Sequence, residues 1–183
     1  MRQRHGRDML NRITFLCTQC DKQHEGLPAI TYDAPDHYHG LTPEQRVTRA
    51  KLSKDFCAIA NDARDGHAYY VRAVLKIPIV GQTDMLEWGV WGSLSEQNFK
   101  RYVQSFEDHD QSKLGPLFSW FASCLSGYPD TLNLRSNILP QDNGRRPLVV
   151  LDPEQDHLLV RDKANGISLE RAIELVMPVL HKH

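Results

Sequence analysis

Two thiols and an imidazole fall within eight residues near the start of this chain. Cys17-Thr-Gln-Cys20 is followed by Asp-Lys-Gln-His24. Thiols three positions apart can reach one soft ion, and the imidazole four residues on supplies a third donor. Zinc suits this set: it is bound tetrahedrally, at about 2.3 Å to sulfur and about 2.0 Å to nitrogen. A fourth ligand is needed, and Cys57 is the preferred candidate, with His37, His39 or a water behind it. With a cysteine the site is closed and structural. With a water it is open, and zinc could acidify that water for hydrolysis. A redox pair of the thioredoxin kind would open a helix after a strand in a βαβ unit, and no such pattern follows here.

Other reactive residues are weaker signals. His109 between Asp108 and Asp110, and the pair Asp156-His157, read as solvated loop residues. Glu87 before Trp88 is either the exposed member of an alternating strand or a carboxylate perturbed by an apolar site. Cys124 lies in an apolar stretch and reads as a small buried side chain. The sequence contains no Gly-x-Gly-x-x-Gly, Walker loop, Gly-x-Ser-x-Gly or His-Glu-x-x-His, so common nucleotide and hydrolase chemistries lack support.

The elements that must position these groups are partly legible. Residues 13–16 form a short apolar run into the first thiol, as in a zinc-ribbon-like hairpin. Residues 26–40 show neither period and read as a loop that covers something or binds something; extended there, His37 and His39 would point to one side. Thr42-Pro43-Glu44-Gln45 is a helix start with a capping box, expected to run to about residue 51. Residues 56–60 suit a strand carrying Cys57. Residues 69–80 alternate as a long strand ended by Pro78, and 86–94 return as an aromatic strand where a glycine follows each tryptophan and something packs close to the backbone. Ser95 caps a helix over 96–107. Residues 117–125 are strand or buried helix; 131–139 and 148–151 are strands; 153–163 is a helical segment. Ser168 caps a last amphipathic helix that Pro178 should bend or end. The fold class expected is α+β: a single domain over residues 13–183 with an antiparallel sheet, a few packed helices and the N-terminal zinc corner.

Composition bounds the rest. The chain has 183 residues, 40% hydrophobic and 25% charged, enough for one sizeable core. Lys plus Arg number 22 against 23 Asp plus Glu, so bulk charge argues for neither nucleic acid nor an anionic membrane surface. The first dozen residues hold Arg2, Arg4, Arg7 and Arg12 and read as a disordered basic tail, or as an arm that tracks phosphates. No apolar segment marks a signal peptide or a membrane span, which points to a cytoplasmic protein with reduced cysteines.

Three motifs in order carry a resemblance: Cys17-Thr-Gln-Cys20…His24-Glu-Gly-Leu-Pro28, Trp88-Gly-Val-Trp91-Gly-Ser-Leu-Ser95-Glu, and Gly127-Tyr-Pro-Asp-Thr-Leu-Asn-Leu134. Over roughly residues 13–181 the chain resembles the bacterial proteins grouped as domain of unknown function 2199. The resemblance implies a single bacterial domain and no particular activity. Members of that family usually follow the second cysteine with glycine; here Asp21 stands in its place, and Asp tolerates the left-handed turn.

The function expected is a non-catalytic protein-binding domain with structural zinc at Cys17, Cys20, His24 and Cys57. A toxin-neutralising protein is one form of it, and an exposed tryptophan hairpin would also suit a homodimer. The alternatives are a zinc hydrolase, with Glu25 or Glu87 as base, and a nucleic-acid-binding accessory protein using the arginine arm.

Overall fold

The computed structural model describes residues 13–17, 20–61 and 66–180. The arginine-bearing first dozen residues, and the tail or arm expected of them, lie outside the described residues.

The chain opens with a hairpin, β1 (Thr14–Leu16) against β2 (Gln23–Glu25), antiparallel with Phe15 opposite His24. Ile13, Phe15 and Cys17 alternate inward while Thr14 and Leu16 face out, the period-two pattern of a half-buried strand. After β3 (Ile30–Thr31) come two short helices, α1 (Asp36–His39) and α2 (Pro43–Arg49). Thr42 caps α2, and Gln45 completes the capping box from the other side. The expectation that this helix reaches residue 51 fails: Ala50 turns extended and starts β4 (Ala50–Leu52), pairing with β5 (Phe56–Asn61). Pairing with a strand edge there outweighs helix propensity.

The centre of the fold is β6 (Gly66–Pro78) against β7 (Met85–Leu94), the hairpin expected from the sequence. Val71, Ala73, Leu75 and Ile77 on β6 are fully buried, as are Leu86, Trp88 and Val90 on β7. Pro78 ends β6 because it has no N–H to offer a ladder. Ser95 caps α3 (Glu96–Gln104), which stops short of the expected residue 107. The apolar run from 117 is a strand, β8 (Leu117–Phe121), followed by β9 (Arg135–Leu139) and β10 (Leu148–Leu151). Two helices complete the chain, α4 (Leu158–Asn165) and α5 (Leu169–Leu180). Helix α5 does not end at Pro178 but continues to Leu180.

The eight-stranded sheet runs β3-β7-β8-β9-β10-β6-β5-β4, and β7 also pairs with β6. Strands β6 to β10 therefore close on themselves as a five-stranded barrel, with β5 and β4 extending one edge and β3 another. The sheet is mixed where an antiparallel one was expected: β10 meets β6 in parallel, as does β3 with β7. An up-and-down run of five strands brings its first and last members together in the same direction, so closure forces the parallel pairing. The glycines after each tryptophan mark close approaches. A Cβ on Gly92 would lie 2.5 Å from Ser119 Oγ and 2.8 Å from Ile138 Cδ1, and one on Gly89 would lie 3.1 Å from Thr31 Cγ2.

The main core fills the barrel and runs from Ile13 to Val176 under α3, α4 and α5. A second cluster of Cys57, Ile59, Tyr70, Trp91 and Ala122 lies beneath Tyr32, Tyr38 and Leu41. The loop from 26 to 40 thus covers the outer face of the sheet, and Trp91 Nε1 pins it by donating to the Tyr32 carbonyl at 3.1 Å. Trp88 and Trp91 are both fully buried, so the aromatic strand is core and the hairpin does not expose its tryptophans. Among the described residues no helix is long and apolar enough to cross a membrane.

Candidate metal centre

The turn between β1 and β2 carries the Cys-x-x-Cys. The Cys17 amide donates to the Lys22 carbonyl, and the Asp21 amide donates back to the Cys17 carbonyl, each at 2.9 Å. Asp21 takes φ 53°, the left-handed conformation anticipated for the residue after the second cysteine. This closed turn brings Cys20 back beside the hairpin, where its Sγ stands 3.4 Å from His24 Nε2. Phe15, opposite His24 in the register, stacks on the imidazole with centroids 5.6 Å apart and fixes the ring plane.

The ligand atoms of Cys17, Cys20 and His24 all lie within 4.8 Å of one another. Cys17 is fully buried, and Cys20 and His24 are partly so. Two sulfurs and one nitrogen on three sides of one point are the donor set that a soft tetrahedral ion takes.

The structure does not bring Cys57 to this group. It sits on β5, packed in the second cluster with Tyr70 and Trp91, and burial pushes its thiol up to about 12. There it packs as a small buried side chain, apart from the three donors. His37 and His39 also stay away. They lie on the helical turn α1 and so diverge, where an extended chain would have aligned them. His37 stacks on Tyr70 at 5.4 Å, and His39 Nε2 meets Asp33 Oδ1 at 3.3 Å.

The other reactive residues resolve as follows. Glu87 pairs with Lys76 at 2.7 Å on the half-exposed outer face of the barrel, as an alternating strand residue. His157 has a structural role that sequence reading missed: it caps α4, its Nδ1 accepting from the Leu159 amide at 3.1 Å, while Nε2 lies 3.1 Å from the Asp130 carbonyl. The Asp-His dipeptide before an apolar run was the available signal, since short acceptors favour N-caps. Cys124 is exposed rather than buried; its amide donates to Asp36 Oδ2 at 2.6 Å.

Two open clefts flank the second cluster. One, of about 490 Å³, is lined by Leu52, Phe56, Cys57 and Phe99 among others. The other, of about 510 Å³, is lined by His37, Tyr70, Ser93, Trp120 and Asn133 among others. Neither includes Cys17, Cys20 or His24. Beside the second cleft, Phe118 and Trp120 stand edge to face on the outside of β8, 50% and 44% exposed, with Val150 of β10 43% exposed. Asn137 is the cross-strand partner of both Phe118 and Val150 and lies between them, while Trp120 is opposite Arg135. The sequence Leu-Phe-Ser-Trp-Phe held the signal, because a strand apolar at consecutive positions must turn some of them outward.

No curated protein and no solved structure matched the chain. A family described as an uncharacterized protein conserved in bacteria (DUF2199) matches residues 16–167, a stretch that takes in the Cys-x-x-Cys turn, the whole barrel and α4. On that match, which covers most of the chain, the protein belongs to the DUF2199 family.

Proposed function

We propose that this is a non-catalytic, protein-binding domain of the bacterial cytoplasm whose N-terminal hairpin is held by a structural zinc ion at Cys17, Cys20 and His24. The observation that carries the reading is the convergence of those three donors within 4.8 Å of one another, with Cys17 fully buried and none of them lining the described clefts. A metal that acts on substrate needs a cleft that admits it; a metal that holds a fold does not. The exposed Phe118 and Trp120, with Val150 across Asn137 from Phe118, support the binding half, since aromatic side chains anchor protein interfaces. A toxin that this domain neutralises is one partner that would suit such a face.

Metal analysis of protein purified without added zinc tests the first half. About one zinc per chain, lost with the hairpin's stability on chelation, is expected; a metal-free protein of unchanged stability sinks it. Affinity purification from the native host tests the second half. A protein captured by the wild type and lost with Trp120→Asp is expected, and no capture with a strictly monomeric chain overturns it.

One observation favours a second reading, the zinc hydrolase. With Cys57 elsewhere, the group of His, Cys and carboxylate donors numbers three among the described residues, and an open position on zinc can hold an activated water. Glu25, next to His24 on β2, is then the base. Ester or amide hydrolysis that is lost together with zinc and in Glu25→Gln would establish it.

A further inference from the structure

The three-donor corner has a third sulfur beside it. Met177, on α5, sets its Sδ 3.9 Å from Cys17 Sγ, across a separation of 160 residues. Two sulfurs bonded at about 2.3 Å to one tetrahedral ion stand roughly 3.8 Å apart. The Cys20–His24 contact of 3.4 Å likewise matches a sulfur–nitrogen edge of roughly 3.5 Å. Both contacts therefore have the lengths expected of ligand pairs sharing one ion.

We propose that the Met177 thioether is the fourth donor of this corner, and that the completed set of two thiolates, one imidazole and one thioether takes cuprous copper. The inference rests on the reading that Cys17, Cys20 and His24 hold a metal. A thioether is soft and neutral: it adds little to Zn(II), which is content with harder ligands or water, and it suits Cu(I). Methionine is unbranched with three rotatable bonds, so a small swing of Met177 adjusts its Sδ to the ion. Cys17 is fully buried and Met177 partly so, packed against the main core. Two thiolates around Cu(I) leave one net negative charge, and the partly exposed Cys20 and His24 let solvent stabilise it. With Met177 as a ligand, the ion ties the N-terminal hairpin to the C-terminal helix.

The test is anaerobic titration of the full chain with Cu(I) against a chromogenic Cu(I) chelator, with Zn(II) affinity measured in parallel. Met177→Leu is the variant, since the side chains are close in volume. The expectation is that Met177→Leu weakens Cu(I) binding by about tenfold or more and Zn(II) binding by less than about twofold. X-ray absorption of the wild-type copper form should count three sulfurs, a readout that does not depend on the variant folding. Unchanged Cu(I) affinity in a folded Met177→Leu, or two sulfurs in the wild type, overturns the assignment and leaves the three-donor zinc reading standing. A wild type that binds neither metal overturns both.

Discussion

The hydroxyl of Thr131 donates to the Ser123 carbonyl at 2.7 Å, and both residues are fully buried. The same oxygen accepts from the Leu125 amide at 2.9 Å, while Ser123 Oγ accepts from the Trp91 amide at 3.0 Å. One threonine thus satisfies two backbone groups of the chain that leaves β8, in a place water does not reach. Thr131→Val keeps the shape and orphans both groups, and each buried orphan costs about 1–3 kcal/mol, so a loss of about 2–6 kcal/mol is expected in urea denaturation. Thr131→Ser keeps the bonds and should lose only about 1 kcal/mol for the missing methyl. Equal losses in the two variants would show that packing, and not the hydrogen bonds, holds this turn.

Gly92 and Gly89 both follow a tryptophan, and alanine should separate them. At Gly92 the new methyl meets Ser119 Oγ at 2.5 Å and Ile138 Cδ1 at 2.8 Å, both from buried residues of the barrel wall. Overpacking of this kind costs about 1–3 kcal/mol. At Gly89 the neighbour is Thr31 Cγ2 at 3.1 Å, on an exposed residue of the edge strand β3 that can give way. Gly89→Ala should therefore be nearly neutral and Gly92→Ala clearly destabilising, as read from thermal melts.

These contacts mark what could be read from the sequence. The β6–β7 hairpin, the caps at Thr42 and Ser95 and the three-donor hairpin were legible because each is local: period-two burial, an N-cap oxygen, a left-handed Asp21. Barrel closure was not, since nothing in residues 148–151 says that Leu148 will sit opposite Val74. The place of Cys57 was hidden for the same reason. Its type fitted a ligand, but its strand register places it opposite Tyr70, away from the hairpin. Met177 lies so far along the chain from Cys17 that no spacing rule connects them.

The metal ligands can be told from the other thiols by substitution. Cys20→Ser or His24→Ala should lose the metal and lower the melting temperature, because the hairpin then keeps only the packing of Ile13, Phe15 and Cys17 for its hold on the core. Cys57→Ala should keep the full metal content and lose about 1 kcal/mol or so for the small cavity beside Tyr70. In the metal-loaded wild type, a thiol reagent should react fast with Cys124, which is exposed, and reach Cys57 only on unfolding. Metal loss in Cys57→Ala would restore it as a ligand.

Burial also sets how the fold answers to alkali. It raises the Cys57 thiol from its ordinary 9.0 to about 12, and raises the Tyr70 phenol from 10.0 to about 12, with the neighbouring Cys57 adding to the effect. Burial likewise raises Tyr102 and Tyr128. Each of these groups is an acid that holds its proton more tightly when folded than when unfolded. Between the unfolded and folded values the unfolded chain binds fewer protons, so stability falls as pH rises. Stability from these groups is complete below pH 9 and is lost progressively from 9 towards 12. Cys57 has the lowest ordinary value of the four, so it sets where the loss begins. Cys57→Ala should move the onset up by about one pH unit, to where the tyrosines begin to titrate. Urea midpoints measured from pH 8 to 11 check this, and an identical onset in wild type and variant would place the first alkaline titration elsewhere in the chain.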